Sequence, residues 1–143
     1  LTKRELESRH EIYVEQYFYT INIEGETAAD MTRTMILPAA IRYLSELLQA
    51  AERAEDVGMK SKGLTRTAHI VRDLVDDLRE ALDELIEQNA ELGGDEVEEK
   101  AEHMRKNIIP AMAKVRAVAD KLEKVVPDDL WPIPTYRDML HVK

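Results

Sequence analysis

The 143-residue sequence contains no cysteine. Disulfides, thiol catalysis and cysteine-ligated zinc are excluded with it, and a reducing cytoplasm is the compartment this usage fits. Glycine and proline are scarce, five of each, so little interrupts helix, and no glycine-rich phosphate loop can be built. No apolar run approaches the length of a membrane-spanning helix, and no signal-peptide pattern stands out. Positive charge is in deficit: 20 Lys and Arg against 29 Asp and Glu give a formal charge of -9. With no basic block, neither a nucleic-acid surface nor a membrane surface is expected. Aromatic residues are few, and most of them, Tyr13, Tyr17, Phe18 and Tyr19, fall in one short stretch.

What remains is rich in Ala, Leu, Glu, Lys and Arg, a helix-favouring composition of a length that suits one domain. The stretch from Leu64 to Val125 is written in heptads. Leu64, Ala68, Val71, Val75, Leu78, Leu82, Leu85, Asn89 and Leu92 alternate steps of four and three. The pattern restarts after Gly93-Gly94-Asp95 with Val97, Ala101, Met104, Ile108, Ala111, Val115, Val118, Leu122 and Val125. Such a repeat keeps one stripe facing a neighbour along a whole helix. A short connection between two matching stripes predicts an antiparallel hairpin with arms roughly 40 Å long. Gly93 suits the left-handed residue that ends a helix, and Asp95 with Glu98 predicts an N-cap and capping box. Asn89, the one polar stripe residue, is expected to fix register.

The first helix is expected from Thr2, boxed with Glu5, to about Tyr19. Its apolar residues Leu6, Ile12, Tyr13, Val14, Tyr17, Phe18 and Tyr19 do not form one clean stripe. Residues 20–25 alternate apolar and polar, which hints at a strand, but a lone strand has no partner, so helix or an irregular joint is favoured. Gly25 weakens whichever element holds it. A second helix, 27–57, carries two apolar tracks: Ile36, Ala40, Tyr43, Leu47, and Leu37, Ile41, Leu44, Leu48. Two tracks can touch two neighbours. Pro38 should kink or split it. The strings Ile36-Leu37-Pro38-Ala39 and Ile108-Ile109-Pro110-Ala111 are alike, but coincidence in such helices accounts for that, and no repeat is inferred. Past Val126, Pro127, Pro132 and Pro134 stop long helices. Thr135 and Asp138 cap a short one, and Trp131, Ile133, Tyr136, Met139 and Leu140 make the segment too apolar to hang free.

The fold class expected is therefore all-α: an antiparallel bundle of about four long helices, the heptad hairpin 64–125 plus two N-terminal helices, with a Pro-rich tail packed on it. Residues 1–143 form one domain, bundle 1–126 and tail 127–143.

No catalytic constellation emerges. A carboxylate-bridged di-iron bundle needs two Glu-x-x-His pairs. Glu7 and His10 make one, but Lys100 and Arg66 stand three residues before His103 and His69. A phosphorelay histidine needs only exposure, which His69 could have, and any helical protein with histidines would offer as much. No catalytic, cofactor-binding or metal residue is assigned. The candidate interface residues are Tyr13, Tyr17, Phe18, Tyr19, Trp131 and Tyr136, because aromatic clusters anchor contacts.

Two segments carry a resemblance. Tyr17-Phe18-Tyr19-Thr20-Ile21-Asn22-Ile23-Glu24, leading into Met35-Ile36-Leu37-Pro38-Ala39, and the run from Val126 to Leu140 with its Trp131-Pro132-Ile133-Pro134-Thr135-Tyr136 string, resemble the C-terminal helical region of type III glutamine synthetases. Gly25, where a helix former is expected, departs from that pattern. The resemblance implies the last part of a longer enzyme, as the start at Leu1 also suggests. That enzyme joins glutamate and ammonia at the expense of ATP with Mg2+ or Mn2+, and assembles as stacked hexameric rings in the cytoplasm. Its catalytic motifs lie in a preceding part, so none transfers to these residues and no cofactor is expected here. The implied partners are the catalytic domain of the same chain and other subunits. The alternative is a free-standing helical interaction or signalling module.

Overall fold

The structure, a computed structural model, describes residues 1–141; the last two positions of the expected tail, 142 and 143, lie outside the described residues. The elements are α1 (Lys3–Met31), a π-helical turn (Thr32–Ile36), α2 (Leu37–Asp56), α3 (Lys62–Ala90), α4 (Val97–His103), a second π turn (Met104–Ile108), α5 (Ile109–Glu123) and α6 (Tyr136–Leu140). The chain is all-α, with no strand among the described residues.

α1 starts as expected. Thr2 Oγ1 accepts from the Glu5 backbone N–H at 3.2 Å, and Glu5 Oε2 accepts from the Thr2 N–H at 2.8 Å. It does not stop near Tyr19. Helix continues through 20–25 and on to position 56, so the two N-terminal helices expected from the sequence are one run. Extending a helix adds a hydrogen bond for each residue fixed, whereas a new element must nucleate again. The weak alternation of 20–25 does not overcome that.

The prolines are absorbed the same way twice. Leu37 N–H donates to the Thr32 carbonyl, and Ile109 N–H to the Met104 carbonyl, each five residues back. A proline inside a helix lacks its N–H, and its ring strikes the carbonyl four residues earlier. Widening the preceding turn by one residue removes the clash without ending the helix. Pro38 and Pro110 each stand two residues past a π turn, so the two similar strings share one local structure.

α3 holds the core together. Val71, Leu78, Leu82 and Leu85 on its stripe are fully buried, as are Met104, Ile108 and Leu122 on the facing run. Each such side chain contributes about 1.5–3 kcal/mol. Leu74 and Ala81, beside the stripe, are buried too, because α3 touches both α2 and α5. Nearer the turn, Gln88 meets His103; farther from it, Glu84 takes Lys114 Nζ at 2.7 Å. The chain folds back at the glycines, as a hairpin requires.

The turn itself differs from expectation. α3 ends at Ala90, so Leu92 leaves the stripe and is exposed. Gly93 does adopt positive φ, 82°, and a Cβ there would strike His103 Cβ. The N-cap of α4 is Glu96, without a side-chain cap bond; Asp95 falls one residue outside the helix.

Gly25 has a purpose composition does not reveal. It is buried inside α1, and a Cβ on it would meet Asn89 Oδ1 at 2.7 Å and Ile108 Cγ2 at 2.8 Å. Asn89 Nδ2 donates to the Gly25 carbonyl at 3.0 Å. The stripe asparagine thus ties α3 to α1 across 64 residues of sequence.

A smaller cluster of Leu47, Ala68 and Val71 joins α2 to α3. The inner track of α2 is covered there, whereas Ile41 and Leu48 of the outer track are exposed. In the tail, Val126 and Trp131 are buried in the main core, with Leu130 and Ile133 against it. Thr135 and Asp138 form the expected capping box of α6.

Candidate functional site

A run of exposed apolar side chains occupies the first half of α1. From Leu1 to Tyr17 every residue is exposed except half-buried Val14. These residues form an arm, roughly 20 Å of helix, reaching past the packed body. Helical spacing sorts its apolar residues into two stripes. Leu6, Tyr13, Val14 and Tyr17 share one face with Arg9 and His10. Ile12, Tyr19 and Ile23 lie on the opposite side. That split is why no single stripe was legible. Tyr13 is 77 % exposed, more than any other aromatic residue of the chain.

The first face borders a groove of about 530 Å³ lined by Leu6, Arg9, His10, Tyr13, Val14 and Tyr17 of α1 and Ala101 of α4. Next along α1, the Phe18 ring lies 5.5 Å from Lys100 Nζ and 5.2 Å from the Tyr19 ring.

The six aromatic residues selected from the sequence separate in space. Tyr13 and Tyr17 share the groove face, and Tyr19 lies on the outward stripe. Phe18 and Trp131 are buried in the chain's own core at 7 % and 8 % exposure, so they hold the body together and are not free to touch a partner. Tyr136 is partly exposed at the tail. Its hydroxyl accepts from Arg116 Nη2 at 2.6 Å, and its N–H donates to Glu123 Oε1 at 2.7 Å. That hydroxyl, with Asp120, raises the Arg116 pKa above its ordinary value. Leu6, Arg9 and His10 line the groove but are not among the interface candidates chosen from the sequence. Their signal was the spacing 6, 9, 10, 13, 14, 17.

Polar chemistry elsewhere is structural. His103 is buried, its Nε2 donating to the Gln88 carbonyl at 2.9 Å and its Nδ1 accepting from Asn107 Nδ2 at 2.8 Å. His69 is exposed on α3, and Glu7 pairs loosely with Lys3 at 3.7 Å. Among the described residues no three His, Asp or Glu side chains converge on a metal-sized site. No helix of the described residues is long and apolar enough to cross a membrane.

Comparison with known proteins agrees with the resemblance in the sequence. The model of the glutamine synthetase C-terminal domain matches residues 1–55, the run that carries the arm, Gly25 and the first π turn. A type-3 glutamine synthetase of Dictyostelium discoideum is 30 % identical over 151 residues, covering 100 % of this chain and 20 % of that protein. A glutamine synthetase of Bacteroides fragilis is 25 % identical, covering 97 % of this chain and 20 % of its own length. One from Butyrivibrio fibrisolvens is 26 % identical with the same shares, 97 % and 20 %. The chain therefore spans about a fifth of the length of these relatives. No solved structure matches it. By these matches, the chain belongs to the C-terminal domain of type III glutamine synthetases.

Proposed function

We propose that these residues are a helical accessory domain of a larger glutamine synthetase. The domain docks on the rest of that enzyme and carries no catalytic group of its own. The whole polypeptide ligates ammonia to glutamate with ATP and Mg2+ or Mn2+ bound outside these residues, and works as a cytoplasmic homo-oligomer. Residues 1–143 act as one unit: an antiparallel bundle, with the Pro-rich tail packed on it through Trp131.

One observation carries this reading. The matched segment contains an arm with Leu6, Ile12, Tyr13, Tyr17 and Tyr19 exposed to solvent, and exposed apolar side chains grouped in this way mark a contact surface. Relatives five times as long supply the polypeptide to cover it. Tyr13, Tyr17 and Tyr19 are the anchors; Tyr136, tied to α5, marks a second, smaller contact.

The test replaces Tyr13, Tyr17 and Tyr19 by Ala in the whole enzyme. The expected result is looser assembly or a lower melting temperature of the enzyme, with the core of this domain still folded. An enzyme of unchanged assembly and melting would contradict the docking role. A companion assay uses the 143 residues alone. Appreciable γ-glutamyl transfer or tight ATP binding would contradict the absence of catalytic groups.

A further inference from the structure

The groove beside the arm differs in charge from its surroundings. The molecule is acidic overall, at -9, and other clefts of the described surface mix both signs. The cleft of Glu26, Asp30 and Arg33 does so, as does the one at Arg116, Asp120 and Glu123. The arm groove is lined by Arg9 and His10 with no carboxylate. The arm is not short of acid, since Glu5, Glu7, Glu11 and Glu15 all lie on it. Glu11 and Glu15 turn away from the 6, 9, 10, 13, 14, 17 face, while Glu5 and Glu7 border it, one turn before Arg9 and two turns before Val14, outside the groove's lining. Glu5 is occupied with the Thr2 cap and Glu7 with Lys3. Arg9 makes no ion pair among the described residues.

An arginine beside Leu6 and two tyrosine rings, with no carboxylate of its own chain among the groove's lining, is half of a recognition site. The guanidinium is permanently charged and forked, and carboxylate is the group it matches. The tyrosines offer rigid apolar faces. Resting on the docking role proposed above, we infer that the groove receives an acidic amphipathic segment of the same enzyme, outside these 143 residues. One apolar side chain of that segment sits between Leu6, Tyr13 and Tyr17, and an Asp or Glu beside it meets Arg9. The second basic side chain, His10, adds a donor at the same rim. Complementary charge of this kind sets register and excludes wrong surfaces.

The experiment uses the whole enzyme with a photo-crosslinking benzoyl-phenylalanine at position 13, on its own and combined with Arg9→Glu or Arg9→Lys. The expected result is a cross-link to a segment outside this domain that carries Asp or Glu next to its apolar residue. Arg9→Glu lowers the yield about tenfold or more, Arg9→Lys retains most of it, and added salt lowers it. Thermal melting of each variant checks that the fold is intact, and Arg9 is exposed on the arm, so no loss of folding is expected. A cross-link outside the domain that ignores both the Arg9→Glu change and salt overturns the acidic partner while leaving docking in place. A cross-link to the same domain of a neighbouring subunit also overturns it. No cross-link beyond these 143 residues overturns the docking role itself.

Discussion

α1 and α3 are both 29 residues long, and both carry large apolar side chains from end to end, yet they meet solvent in opposite ways. α3 buries seven residues spread over its length; α1 buries three, all of them beyond Tyr17. The difference lies in arrangement. In α3 the apolar residues fall on one widened stripe with a neighbour on either side. In the arm they divide between two opposite faces, and only one short segment of α4 lies alongside. A helix whose apolar residues cannot all face one neighbour is suited to holding two bodies together. α3 belongs to the interior of this domain; the arm, on the proposal above, is covered by another part of the enzyme.

The largest expected effect breaks that contrast from the α3 side. Leu78→Asp places an unpaired charge at a position with no exposure and should cost about 4 kcal/mol or more. Tyr13→Asp, on the arm, should change the domain's own stability by under about 0.5 kcal/mol. Urea titration of both variants checks the pair; equal losses would mean the arm is core.

Next comes Gly25→Ala. An added methyl gains about 1 kcal/mol of helix propensity but must fit within 2.8 Å of Asn89 and Ile108. The clash outweighs the gain, for a net loss of about 1–2 kcal/mol. Gly63→Ala, with nothing nearer than Ser61 Oγ at 3.9 Å, should instead gain up to about 1 kcal/mol. Opposite signs for the two glycines, read by thermal melting, would confirm that only the crossing glycine is there for space. Asn89→Ala should cost about 1 kcal/mol through the lost bond to the Gly25 carbonyl. The double variant with Gly25→Ala should lose less than the two singles together, because the amide no longer meets the methyl.

The smallest effect is at α6. The Asp138 carboxyl is held below its ordinary pKa, first by the Thr135 backbone N–H and then by the Thr135 hydroxyl. A depressed folded-state pKa means this cap contributes above the ordinary carboxylate range and fades as pH falls through the lowered value. Acidification should loosen α6 before it touches α3, and Asp138→Asn should remove that pH dependence. Hydrogen exchange at residues 136–140 across the acid range reads it.

Much of the architecture was legible because periodicity and capping are local. The 4-3 stripe from Leu64 announced α3, and Thr2 and Thr135 announced their caps. What was hidden depends on contacts far apart in sequence. Gly25 read as a weakness because Asn89 and Ile108, which require it, lie far along the chain. Pro38 read as a break because a π turn, which leaves no residue signature of its own, lets the helix pass. The candidate surface was half legible. Tyr13, Tyr17 and Tyr19 were found by their density, but the same density drew in Phe18, and nothing local says that Phe18 and Trp131 turn inward. Arg9 was missed, and His10 was weighed only as a metal ligand, because polar residues on an exposed helix look ordinary until the groove beside them is seen.

Hydrogen exchange along residues 3–17, compared between the whole enzyme and these 143 residues alone, tests the central claim most directly. The account predicts arm amides that exchange freely in the isolated domain and are strongly protected in the whole enzyme, while α3 is protected in both. An arm that exchanges equally fast in the two would contradict it.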